Sequence, residues 1–246
     1  RRLDSDMSKG ISANVGGSYQ QAKASFVNVN GDWVQFAGGS GNADFSNAET
    51  GTFSENGRTY KYVKFTSNGT LTITQPGFLE VFLVGGGGGG GKNSGGGGGG
   101  GCQVETGLLV EAGNHSVVVG NGGGRNGGGG GESTFHGITA PGGGGGGANG
   151  TGGGYSWANN RVKIPGIYSN TKYYGGPGAG FASFPRKTGN ANANGAPGTA
   201  SYFIGSAITY SAGGTGVQSG GDGASGPASS GNGGNGGGGD NHNGGY

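Results

Sequence analysis

Two runs of seven glycines, residues 85–91 and 95–101, are separated only by Lys92-Asn93-Ser94. Side-chain contacts cannot order such a stretch. Glycine has no side chain to bury, and it loses more backbone entropy on folding than any other residue. The stretch is therefore either a flexible linker or an object held together by backbone groups alone. A shorter copy favours the second reading: 120–124 (GNGGG) is answered by 127–131 (GGGGG) across Arg125-Asn126. A linker has no reason for matched lengths on either side of a polar tip.

One conformation meets the requirement. The extended helix of the polyproline II type has three residues per turn, rises about 3.1 Å per residue and makes no internal hydrogen bonds. Its N–H and C=O groups all point sideways. Rods without side chains pack closely enough to satisfy those groups on one another, with Cα–H···O contacts adding to the packing. Seven residues would span roughly 22 Å at that rise. The expected fold is all-β with polyglycine II helices: a β base carrying packed glycine rods, with loops at the distal tip.

Composition narrows the alternatives. Glycine supplies 72 of 246 residues, but in blocks and with only 7 prolines, so a collagen repeat is excluded. The 11 Phe, 10 Tyr and 2 Trp separate the chain from a disordered polymer. A net charge of +2 with 11% charged residues gives no nucleic-acid footprint. No apolar stretch approaches the roughly 20 residues of a membrane-spanning helix, so neither nucleic acid nor membrane insertion is expected. The single Cys102 excludes an internal disulfide framework. The opening Arg1-Arg2-Leu3-Asp4 lacks an initiator Met, and the end of a longer or processed polypeptide is expected.

Along the chain, residues 1–24 read as a connector and 25–58 as a β-hairpin attachment region. Its two β-rich runs, 26–29 and 33–36, flank Asn30-Gly31-Asp32, a turn that tolerates positive φ. Residues 38–42 and 47–57 read as loops. Residues 59–246 read as the polyglycine II domain, with strands expected at 60–65, 70–74, 78–84, 102–106, 108–111, 115–119 and from Ser133 onward. A weak repeat relates 133–139 to 201–209, each copy followed by glycines.

The side chains that interrupt the glycines are the candidate binding groups. Lys92, Asn93 and Arg125 sit at the two short tips. The stretch 155–174 (YSWANNRVKIPGIYSNTKYY) carries Tyr155, Trp157, Tyr168, Tyr173 and Tyr174 beside Arg161, Lys163 and Lys172. The stretch 181–187 (FASFPRK) adds Phe181, Phe184, Arg186 and Lys187. Residues 133–221 contain no Asp or Glu. Tyr, Trp and Arg are the usual anchors of binding surfaces, aromatic faces stack on sugar rings, and cations suit phosphate or carboxylate. All these tips are expected to share one exposed face.

Catalysis is not expected. His115, His136 and His242 share no ligand spacing with Cys102, so no metal or cofactor is expected. Matches to G-x-G-x-x-G follow from composition and lack a βαβ unit, and no nucleophile elbow is present.

Two stretches resemble known proteins. Phe26-Val27-Asn28-Val29-Asn30-Gly31-Asp32-Trp33-Val34 resembles a hairpin common in phage minor tail proteins. Phe65-Thr66-Ser67-Asn68-Gly69-Thr70-Leu71-Thr72-Ile73, continuing through Val81-Phe82-Leu83-Val84-Gly85, resembles the opening of the glycine-rich domain of phage tail fibres. The resemblance covers roughly 59–215 plus the hairpin. It implies a receptor-binding adhesin at the tail-fibre tip of a virion, similar in architecture to T-even-like phage adhesins. Its partners would be a bacterial surface receptor, glycan or protein, and other tail-fibre subunits. A homotrimer and a single copy capping a trimeric shaft both fit. The alternatives are an ice-binding polyglycine bundle, against which the bulky tips and lone Cys argue, and a purely structural fibre segment.

Overall fold

The computed structural model describes residues 42–47, 50–93, 97–148, 152–158, 162–166, 180–182, 194–216, 222–237 and 244–245, together with the backbones of four earlier strands. Among the described residues the regular secondary structure is entirely β. The expectation of an all-β chain holds.

The strands follow one another as hairpins. β1 (Ser12–Val15) pairs with β2 (Ser18–Gln21), and β3 (Ser25–Val29) with β4 (Asp32–Phe36), both antiparallel. The expected Asn-Gly-Asp hairpin is thus present, and a further hairpin lies within the stretch read as a connector. β5 (Asp44–Phe45) is short. β6 (Thr50–Glu55) pairs with β7 (Arg58–Val63), turning at Asn56 and Gly57, whose φ values are 50° and 75°. Reading 47–57 as a loop missed β6, because Gly51 interrupts its apolar alternation. β8 (Gly69–Gln75), β9 (Gly77–Val84), β10 (Gln103–Val110) and β11 (Gly113–Val118) follow. β10 is continuous where two strands were expected, and it runs straight through an exposed Gly107. Three short hairpins complete the set: β12 (Ser133–Phe135) with β13 (Ile138–Ala140), β14 (Ser156–Ala158) with β15 (Val162–Ile164), and β16 (Thr199–Ser201) with β17 (Ile208–Tyr210). The weak repeat holds only in its second half: Ile138-Thr139 and Ile208-Thr209 both lie in closing strands, whereas of 201–205 only Ser201 is in a strand.

The chain divides into two compact units. The first comprises Arg1–Glu49, Thr70–Val81 and Thr106–His115. In it β5 pairs with β8, and Phe45, Leu71, Ile73 and Val110 are buried. Asn47 extends this pairing with its side chain, donating to the Thr70 carbonyl at 2.8 Å and accepting the Thr72 N–H at 3.2 Å.

The second unit comprises Thr50–Gly69, Phe82–Glu105 and Ser116–Tyr246, and it contains the glycine segments. Its apolar core is small: Leu83, Cys102, Val117, Phe135, Ala140, Ile164 and Ala196. The remainder is backbone packed on backbone. Segment 85–91 is buried throughout and exchanges hydrogen bonds of 2.7–2.9 Å with six described neighbours: 97–102, 120–124, 127–131, 141–147, 231–237 and 244–245. The partners step by three. Gly85 and Gly88 donate to Cys102 and Gly99, and Gly86 and Gly89 donate to Gly131 and Gly128. Gly143 and Gly146 donate to Gly86 and Gly89, and Gly234 and Gly237 donate to Gly88 and Gly91. A repeat of three is the one a three-residue-per-turn extended helix produces.

Sterics explain why segment 85–91 is all glycine. A Cβ on Gly85, Gly88 or Gly91 would strike the carbonyls of Pro141, Gly144 and Gly147 in turn. On Gly86 or Gly89 it would meet Asn121 and Gly124, and on Gly87 or Gly90 it would meet Asn232 and Asn235. Each third of the rod faces a different neighbour, so no position admits a side chain. Outer segments carry Asn121, Ala196, Thr215 and Asn232.

The same pairings fix direction. Segments 120–124, 141–147 and 231–237 run parallel to 85–91, while 97–101 and 127–131 run antiparallel to it. Segment 152–155 returns antiparallel to 141–147, with Gly144 and Gly147 donating to Tyr155 and Gly152. The bundle therefore has a proximal end, where β9 enters and β10 leaves, and a distal end, where Lys92 lies.

Candidate functional site

The sequence-predicted site residues that are described fall into two groups. The first is at the distal end. Lys92 and Arg125 are exposed, and each is followed by an Asn in the left-handed region, Asn93 at φ 54° and Asn126 at φ 65°. Asn tolerates this conformation better than most residues with a side chain. The turn after Arg125 closes with the Gly128 N–H donating to the Gly124 carbonyl at 3.0 Å. The Asn126 side chain accepts the Gly244 N–H at 3.2 Å, which ties this tip to the C-terminal segment. Segments 85–91 and 120–124 are parallel neighbours, so Lys92 and Arg125 end adjacent rods on the same side.

The second group lies along the flank of the bundle toward the proximal end. Tyr155 is the last residue of a returning segment, and Trp157 is the middle residue of β14, the first strand of the hairpin after it. The Trp157 indole N–H donates to the Gly142 carbonyl at 2.8 Å, and the Ser156 hydroxyl donates to the Gly100 carbonyl at 2.8 Å. The Tyr155 and Trp157 rings meet edge to face at 5.9 Å, and β14–β15 register places Lys163 directly across from Trp157. Lys163 Nζ stands 4.3 Å from the Tyr155 ring centroid and 5.4 Å from that of Trp157. Phe181 is half-buried, and its backbone is fixed: its N–H donates to the Ser211 carbonyl at 3.0 Å, and its carbonyl accepts the Thr199 hydroxyl at 2.8 Å.

The expectation that all tips share one face is therefore corrected. Lys92, Asn93 and Arg125 are at the distal end, whereas Trp157 lies level with Gly142, at the start of an outgoing segment. Gly142 is level with Gly86, so about six residues of rise, roughly 19 Å, separate Lys92 from that level. Gly147 and Gly152 pair with each other, so the segment that leads into the hairpin sets out from the distal end. The sequence between them, Ala148-Asn149-Gly150-Thr151, blends into the glycine background. Arg161, Tyr168, Lys172, Tyr173, Tyr174, Phe184, Arg186 and Lys187 lie outside the described residues.

Several polar side chains act on the scaffold itself, and the sequence reading did not single them out. The Ser133 hydroxyl accepts the Gly120 N–H at 2.9 Å and donates to the Val84 carbonyl at 2.7 Å. Gln103 donates to the Tyr210 carbonyl at 3.1 Å. Asn232 and Asn235 bond to the N–H groups of Ala212 and Thr215, each at 2.8 Å. A signal for this last pair was available, since Asn at every third residue matches the period of the rods.

A family model described as a glycine-rich domain matches residues 65–246. The chain belongs to this glycine-rich domain family. The matched region of the glycine-rich domain includes every described segment of the bundle and begins after the β6–β7 hairpin. No curated protein and no solved structure matches the chain.

Proposed function

We propose that this chain is a non-enzymatic adhesin from the tip of a phage tail fibre. Its glycine segments form a bundle of polyglycine II rods that displays side chains to a bacterial surface receptor, either a glycan or a protein. One observation carries the reading. Segment 85–91 is closed to side chains on all three of its faces, so recognition chemistry is pushed to turns and hairpins. Loops on a rigid support are where binding residues concentrate. Lys92 and Arg125 at the distal end, and the Tyr155–Trp157–Lys163 cluster on the flank, are the described candidates. The resemblance of residues 26–34 and 65–85 to phage tail proteins supports the same assignment.

The test is adsorption of the labelled chain to a panel of bacterial strains. Saturable binding to some strains and not to others is expected. Absence of binding across a broad panel, or equal binding to every strain, overturns the proposal.

A further inference from the structure

The Tyr155 ring is already covered, and this bears on what the flank hairpin recognises. One part of the ring lies against Gly144, where an added Cβ would collide with it. Lys163 Nζ stands over the ring at 4.3 Å. A sugar that stacked on Tyr155 would have to displace this ammonium. The group offered to solvent is thus the cation rather than the ring.

The ammonium is also unusually well placed for a lysine. Lysine carries a compact charge on a flexible stem and normally loses rotamer entropy when it engages a ligand. Here the cross-strand register with Trp157 and two aromatic rings define its position. Trp157 is itself anchored through its indole N–H. Lys163 is exposed, and among the described residues no carboxylate pairs with it. No Asp or Glu occurs anywhere in residues 133–221. An exposed ammonium held in place, with no counter-charge among the described residues, suits an oxyanion, to which charge-assisted hydrogen bonds are roughly twice as strong as neutral ones.

We propose that Lys163, held over Tyr155 and Trp157, binds a carboxylate or phosphate oxyanion of an acidic bacterial surface polysaccharide. The proposal rests on the receptor-binding reading and specifies the ligand chemistry of one of its sites.

The experiment measures binding of the full chain to immobilised alginate (a polyuronate), phosphomannan and neutral dextran. It compares wild type with Lys163→Met, which keeps the apolar stem, and with Lys64→Met, which removes an exposed charge elsewhere. Binding to at least one anionic polymer and not to dextran is expected. Lys163→Met should weaken it about tenfold, while Lys64→Met changes it by less than about twofold. Preference for alginate assigns a carboxylate, and preference for phosphomannan a phosphate. Equal losses in both variants, no loss in Lys163→Met, or binding to dextran overturns the proposal. If wild type adsorbs to cells but binds neither anionic polymer, the oxyanion site falls and the receptor reading stands. If it adsorbs to no cells, both fall.

Discussion

Asn232 accepts the backbone N–H of Ala212 on its side-chain oxygen at 2.8 Å, while the next residue, Gly233, donates to the Ala212 carbonyl at 2.8 Å. Three residues on, Asn235 and Gly236 repeat the arrangement on Thr215. The side-chain amide thus supplies an acceptor that the neighbouring backbone does not. Removing it leaves a partly buried N–H without a partner, which costs about 1–3 kcal/mol. Asn232→Ala and Asn235→Ala should each lower stability by about that amount in urea unfolding. Asn232→Asp, which keeps the acceptor, should lose less than Asn232→Ala.

Gly88 and Gly124 should respond oppositely to alanine. A Cβ on Gly88 would sit on the Gly144 carbonyl, and backbone on every side prevents relief. Gly88→Ala should destabilise by about 3 kcal/mol or more, or prevent folding. A Cβ on Gly124 meets nothing within 4 Å. Gly124→Ala should be neutral or stabilise by up to about 1 kcal/mol, by restricting the unfolded chain. Thermal unfolding of the two variants side by side checks the contrast.

Trp157→Phe keeps an aromatic ring but removes the donor to the Gly142 carbonyl. A loss of about 1–2 kcal/mol in urea unfolding is expected. Proteolysis should begin earlier in the 155–166 region of the variant than in wild type.

Tyr210 packs on Phe82 with ring centroids 5.3 Å apart, and burial raises its pKa above the ordinary value of 10.0. A raised pKa means that the folded state holds the phenolic proton more tightly than the unfolded state. Its contribution is therefore fully present below about pH 10 and is lost as pH climbs through the folded pKa. Stability of wild type should decline above about pH 10 more steeply than that of Tyr210→Phe. Chemical unfolding at a series of alkaline pH values measures the difference.

Most of the fold was legible because two local patterns carried it. Alternating apolar residues marked β8 and β9 nearly to their observed bounds, and glycine-rich runs of matched length around Lys92 and Arg125 marked the outgoing and returning segments. The flank hairpin was not legible in place. Its bulk drew attention to 155–174 as a tip, while residues 148–151 include nothing larger than Asn. One out-and-back passage, 141–147 followed by 152–155, returns the chain toward its starting end. Only the hydrogen-bond register reveals that parity.

The sequence by itself determined that backbone, not side chains, would hold this protein together. No other partner exists for seven consecutive glycines, and the lengths of the runs and the identities of their tips are written in the residue order. Tertiary structure decided which rods are neighbours, and therefore which glycines are obligatory and which side chains share an end. Each rod presents the same backbone on three faces, so nothing local distinguishes one neighbour from another. That choice is made by the strands and polar side chains at the rod ends, whose partners lie as far apart in sequence as Gln103 and Tyr210.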